Sequence, residues 1–213
     1  LLRPAIVFDL DGVLIDSRRS ITSTLNHTLR AAGHPERPED ELQRFIGPPM
    51  VETFRELAPD ADADHLVRLY RARYAKTAAA ETTVFDGVRE MLDALDGRPL
   101  AIATTKARHL AVPLLGSLGL DLYFTVIEGP GPHDLEETKS QTLARALAQL
   151  EAPAAAMVGD RSHDMVAARE HGLRAVGAGW GFASEGELEA AGAEVVVSSP
   201  AELVAVLNGS IEG

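Results

Sequence analysis

The stretch Pro4-Ala5-Ile6-Val7-Phe8-Asp9-Leu10-Asp11-Gly12-Val13 decides how the chain is read. Five apolar residues in a short run predict a buried strand, and the run empties directly into two acids. Stability does not call for a pair of like charges at a strand end, where they repel each other and resist loss of water. Such a pair calls for a cation. In open α/β sheets the C-terminal edge of the strands is also where ligands bind, so position and chemistry agree.

Working outward, further brief apolar runs at 99–103, 124–127, 154–158, 173–178 and 194–197 predict five more strands. Beyond residue 84, helical spacing separates them: Val88, Met91, Leu92 and Leu95 first, then 107–118, 138–150, 163–171, 185–191 and 200–207. This alternation predicts an α/β fold, a Rossmann-like parallel sheet flanked by helices. Residues 17–83 differ. They carry helical patterns at 18–32, 39–46, 50–57 and 62–79, broken by Gly and Pro, with no strand pattern. The expected organisation is a core of 1–16 and 84–213, with a helical cap, 17–83, inserted after the first strand and lying over the acidic edge.

Composition narrows the partners. Twenty Lys and Arg face 32 Asp and Glu, a formal charge of −12, which speaks against a nucleic-acid or anionic-membrane surface. The absence of cysteine excludes disulfides and thiolate metal sites and is compatible with the cytoplasm. No apolar run approaches a membrane span. The expected state is a monomer or homodimer.

Other residues gather at the same edge. The run Ala101-Ile102-Ala103 ends in Thr104-Thr105-Lys106, hydroxyls and a cation suited to an anion, although Thr104 capping the next helix explains it equally well. Ala154 to Val158 ends in Gly159-Asp160-Arg161-Ser162-His163-Asp164, where Asp160 and Asp164 lie one helical turn apart. Lys139 opens another helix and by itself reads as a solvated lysine. His163 is read as support for the acidic loop rather than as a metal ligand. Gly177-Ala178-Gly179-Trp180-Gly181-Phe182 is read as a strand-to-helix turn, since Phe182 stands where a dinucleotide fingerprint needs glycine.

Taken in order, Asp9-Leu10-Asp11-Gly12-Val13, Thr104-Thr105-Lys106, Lys139 and Gly159-Asp160 through Asp164 resemble the motifs of the haloacid dehalogenase superfamily, in its phosphoglycolate phosphatase-like branch. The lysine followed by proline that is frequent in that family is here Lys139-Ser140-Gln141. The resemblance implies a Mg²⁺-dependent phosphatase acting on a small anionic phosphorylated metabolite, phosphoglycolate-like or a nucleoside monophosphate. It implies Asp9 as nucleophile, Asp11 as general acid and base, and Thr104 and Lys139 as further catalytic groups. Metal would be held by Asp9, Asp11, Asp160 and Asp164. Phosphate would be held by Leu10 and Thr105 with Thr104 and Lys139. It also places a substrate-selecting loop in the cap, for which Arg44, Gly47 and Met50 are the expected contacts. Two alternatives stay open: a sugar phosphomutase, although such enzymes typically carry histidine where this chain has Ile21, and a phospho-accepting signalling domain.

Overall fold

In the computed structural model, which describes residues 3–209, the first half of the chain runs β1 (Ala5–Phe8), β2 (Ile15–Asp16), α1 (Arg18–Ala31), α2 (Glu39–Leu42), α3 (Met50–Leu57), α4 (Ala63–Glu81) and β3 (Thr83–Val84). It continues through α5 (Val88–Ala94), β4 (Leu100–Ala103), α6 (Arg108–Leu118), β5 (Val126–Glu128), α7 (Lys139–Gln149) and β6 (Ala154–Gly159). The last elements are α8 (Ser162–Glu170), β7 (Arg174–Ala178), α9 (Glu187–Ala190), β8 (Val195–Val197) and α10 (Pro200–Gly209). The ends of the expected core, 1–2 and 210–213, lie outside the described residues.

Six strands form one sheet in the order β5-β4-β1-β6-β7-β8, with every neighbouring pair parallel. After β1 the chain adds strands on one side of it and then, from β6, on the other. The carboxyl end of β1 is therefore the topological switch point, where an open sheet forms its crevice. Strand periodicity of two sorts the core. Ile6, Phe8, Ile102 and Val158 pack with Leu92, Leu114 and Leu203 on one face. Val7, Ala101 and Met157 pack with Leu143, Met165 and Leu188 on the other. A strand buried on both faces has no polar alternation, which is why Ala5 to Phe8 reads as an unbroken apolar run.

The insert after β1 is helical: α1 packs on α4, and α4 also contacts α3 and α6. Two details depart from expectation. The segment expected as one helix over 39–46 is α2 followed by a 3-10 turn at Gln43–Phe45. The entry and exit of the insert also pair as a two-stranded antiparallel clasp, Ile15 with Val84 and Asp16 with Thr83. Among the described residues no helix is long and apolar enough to cross a membrane.

Candidate active site

Asp9 continues β1 by donating its N–H to Val158 O at 2.8 Å, which fixes its carboxylate at the centre of the edge. The chain then turns back on itself. Gly12 N–H donates to Ile15 O at 3.0 Å, and Leu14 N–H to Leu10 O at 3.0 Å, so Asp11 is held above the strand end. Gly12 has φ +80°, and a Cβ there would sit 1.9 Å from Asp160 Oδ2; the turn needs glycine on both counts.

Lys139 is the buried hub. Its helix starts with a capping box between Thr138 and Gln141, which directs the first residue inward. Its side chain is 2% exposed, and Nζ lies 2.7 Å from Asp9 Oδ1 and 2.9 Å from Asp164 Oδ1. Nζ also donates to Ala103 O at 2.8 Å. Burial alone would lower the lysine pKa, but Asp164 and Asp9 outweigh it and the pKa is raised. Burial pushes Asp9 up to about 6 against the pull of Lys139, and Asp164 and Asp11 add to the rise. Asp160, raised by burial and then by Asp164 and Asp9, goes well above the carboxylate range. In Asp164 burial is outweighed by Lys139 and His163, and its pKa falls.

The loop after β6 is arranged around these acids. Asp164 Oδ2 accepts from the N–H groups of Asp160, at 3.2 Å, and Arg161, at 3.0 Å, while Oδ1 faces Lys139. Asp160 Oδ2 accepts from Phe182 N–H at 2.8 Å. The glycine-rich segment after β7 thus supplies a backbone donor to Asp160, and Gly181 lies too close to Asp160 to carry a side chain. Thr104 is buried, and its hydroxyl accepts from Lys106 N–H at 3.2 Å; α6 begins only at Arg108, so Thr104 does not cap it.

The donor set fits a hard divalent cation. Asp11 Oδ1 and Asp160 Oδ1 are buried oxygens without a hydrogen-bond partner among the described residues. Four buried carboxylates, Asp9, Asp11, Asp160 and Asp164, face two buried ammonium groups, Lys106 and Lys139, an excess of negative charge that a divalent ion would balance. Ligand atoms of Asp9, His163 and Asp164 also lie within 4.8 Å of one another, consistent with a metal site. His163 is half-buried with Nε2 unpartnered and 3.7 Å from Asp164 Oδ1, closer to the centre than its expected supporting role placed it.

Above this edge lies a cavity of about 50 Å³ that Asp11, Thr105 and Lys106 line from the core, and Ile21, Gly47 and Met50 from the insert. Thr105 Oγ1 donates to Gly47 O at 2.7 Å, and Arg161 reaches Ile46 O, so the Gly47-Pro48-Pro49 turn is docked onto the core. The Thr105 hydroxyl is thereby committed to the insert, leaving its backbone for any anion. Arg44 lies away from this cavity: its side chain is 66% exposed, pairs with Glu56, stacks on Phe45 and borders a separate outer depression. Arg71 is the insert cation that lines the cavity.

Fold and centre together define an α/β protein with a carboxylate and lysine cluster at its switch point. A family profile described as haloacid dehalogenase-like hydrolase matches residues 6–178, and the chain belongs to that family. It is 39% identical over 181 residues to the tyrosine-protein kinase PtkA of Mycobacterium tuberculosis, covering 83% of this chain and 62% of that protein's length. The solved structure of PtkA aligns with a TM-score of 0.82 at 35% identity, over 95% of this chain and 97% of that one. The chain is also 38% identical over 194 residues to a 5'-nucleotidase of Pseudomonas aeruginosa, covering 88% of this chain and 87% of that protein. It is 35% identical over 214 residues to a phosphoglycolate phosphatase of Cupriavidus necator, over 96% and 93% of the two chains.

Proposed function

We propose that this chain is a Mg²⁺-dependent phosphomonoester hydrolase that works through an aspartyl-phosphate on Asp9. The observation that carries the reading is the buried contact of Asp9 with Lys139 at the end of β1, beside Asp11. A carboxylate fixed there is aimed at one point, and the ammonium that holds it is placed to meet phosphoryl oxygens. Asp9 attacks phosphorus, and Asp11 gives its proton to the departing oxygen. Asp11 then takes a proton from the water that attacks the aspartyl-phosphate, so that phosphate is released, the Asp9 carboxylate is regenerated and Asp11 returns to its protonated form. Thr104 and the backbone N–H groups of Leu10, Asp11 and Thr105 complete the phosphate cradle.

Asp9, Asp160, Asp164 and the backbone carbonyl of Asp11 would hold Mg²⁺, which when bound supplies positive charge to the phosphoryl group. Oxygen donors favour Mg²⁺ over softer ions. The insert, residues 17–83, works as the cap that selects substrate, through Gly47 and Met50 on the cavity wall. Ile21 on that wall stands where the sugar phosphomutases of the family typically carry histidine, which supports hydrolysis over a mutase reading.

Mg²⁺-dependent phosphate release, together with an acid-stable phosphorylated peptide containing Asp9 in quenched enzyme, tests the reading. Turnover without any phosphate on that peptide would remove Asp9 as nucleophile.

A further inference from the structure

We propose that Arg71 is a specificity-determining residue, receiving a second anionic group, a carboxylate or a phosphate, carried by the substrate's leaving group. The inference rests on the phosphatase reading and deepens it. A phosphomonoester held at Asp9 turns its departing oxygen to Asp11. Asp11 lines the cavity beneath the insert, so the rest of the leaving group enters there. The cavity is open on one side and, with the solvent it opens to, holds about 620 Å³ of empty space, room for a leaving group with a charged end.

Among the described residues the wall carries two cations, Lys106 and Arg71. Lys106 is committed: Nζ is 3.0 Å from Asp11 Oδ2 and donates to Tyr74 Oη at 2.7 Å. Arg71 is not. Nη1 donates to Pro132 O at 2.6 Å, while Nε and Nη2 have no partner, and the side chain is in no ion pair, among the described residues. Pro132 belongs to the loop that gives Pro130, Asp134 and Leu135 to the wall, so the guanidinium sits where insert and core meet at the cavity. Half-burial lowers its pKa, and Asp134 acts in the opposite sense without restoring it. A guanidinium stays charged all the same.

The wall acids leave that charge unanswered. Asp11 faces Lys106, and Glu137 is held by Arg145 at 2.6 Å. Asp134 is exposed, lies with its carboxylate close against Gly131 and forms no ion pair with Arg71. Solvent screens an acid so placed. The bond to Pro132 O fixes the guanidinium without neutralising it, and the remaining planar N–H donors suit an oxyanion that offers two oxygens. A neutral leaving group would keep a half-buried cation unpaired, whereas an anionic one supplies its partner.

The test measures kcat/KM with Mg²⁺ for three monoesters: 2-hydroxyethyl phosphate, with a neutral leaving group, phosphoglycolate, with a carboxylate, and ethylene glycol bisphosphate, with a second phosphate. Acetyl phosphate is the small activated control, and an ester that is not turned over is ranked by its inhibition of acetyl phosphate hydrolysis. At least one anionic ester should exceed the neutral one by about tenfold or more, the scale of a charge-assisted hydrogen bond, and its identity tells carboxylate from phosphate. A neutral ester equal to or better than both overturns the inference while leaving the phosphatase reading intact. Failure to hydrolyse any of the four overturns both.

Arg71→Gln keeps a donor for Pro132 O and removes the charge. The ratio of the preferred anionic ester to the neutral one should fall by about tenfold or more. A misfolded fraction lowers both esters alike and leaves that ratio unchanged, and the ranking in the parent protein stands whether or not the variant folds. A ratio preserved in active Arg71→Gln overturns the role of Arg71.

Discussion

Tyr74, on the last helix of the insert, is joined to Lys106, in the loop after β4, by a 2.7 Å hydrogen bond, with the ammonium also 4.3 Å from the ring centroid. The same ammonium lies 3.0 Å from Asp11 Oδ2. Burial alone would favour loss of the Lys106 proton, but Asp11 and Tyr74 outweigh it and hold it as a cation. An insert side chain thus helps to set the position of the carboxylate assigned to proton transfer. Tyr74→Phe should lower kcat about tenfold for an alkyl phosphate, whose leaving oxygen needs a proton. Acetyl phosphate, with a better leaving group, should lose less than about threefold. Equal losses on both would assign Tyr74 a purely structural role.

Asp9→Asn keeps the shape of the side chain and removes its nucleophilicity. Turnover should fall by at least about 10⁴-fold, as expected when a nucleophile is removed. Circular dichroism should show the fold retained, since the amide still reaches Lys139. A variant with a tenth of the parent activity contradicts the assignment.

The acids also predict a pH dependence for metal binding. Asp9 is raised from 3.8 to about 6, so folding favours its protonated form. Its contribution to the stability of the metal-free protein is complete below about 3.8 and is lost as pH rises through about 6. Asp160 is shifted in the same sense, whereas Asp164, shifted down, stays ionised across that window. Protons on Asp9 and Asp160 compete with Mg²⁺, so the ion should raise Tm more at about pH 7.5 than at about pH 5. Thermal melts with and without Mg²⁺ check this, and an equal or larger increase at the lower pH counts against it.

Gly12→Ala adds one methyl group at φ +80°, aimed at Asp160 Oδ2 from 1.9 Å. Backbone strain and displacement of Asp160 should act together. Stability should fall by more than about 1 kcal/mol, and Mg²⁺ should no longer raise Tm. A variant with unaltered Mg²⁺ stabilisation would show that Asp160 does not contribute to holding the ion.

Asp9 and Asp160 were legible because each ends an apolar run, a conflict that local propensity does not resolve and a site does. The parallel sheet was legible for a similar reason: short runs and helical spacing alternate without ambiguity beyond residue 84. Lys139 is different. Nothing in its neighbourhood distinguishes it from a surface lysine, and its burial against Asp9 depends on a helix docking 130 positions further along the chain. Tyr74 with Lys106, and Arg161 with Ile46, are tertiary pairs that no periodicity reports. The direction of Arg44 was not legible because a short 3-10 turn has no repeating face from which to infer it. The β2 and β3 pair escaped because two residues per strand are too few to show alternation.

That short pair has an evolutionary consequence. With Ile15 beside Val84 and Asp16 beside Thr83, the polypeptide leaves the sheet and returns to it through a single doorway. Everything between is a cassette. A graft needs only two ends that meet at strand spacing, and the register of β1 against its neighbours is untouched by what lies beyond the doorway. Any other set of helices spliced in at this doorway would leave the strand register alone but would have to restore the Tyr74 contact through which Lys106 meets Asp11.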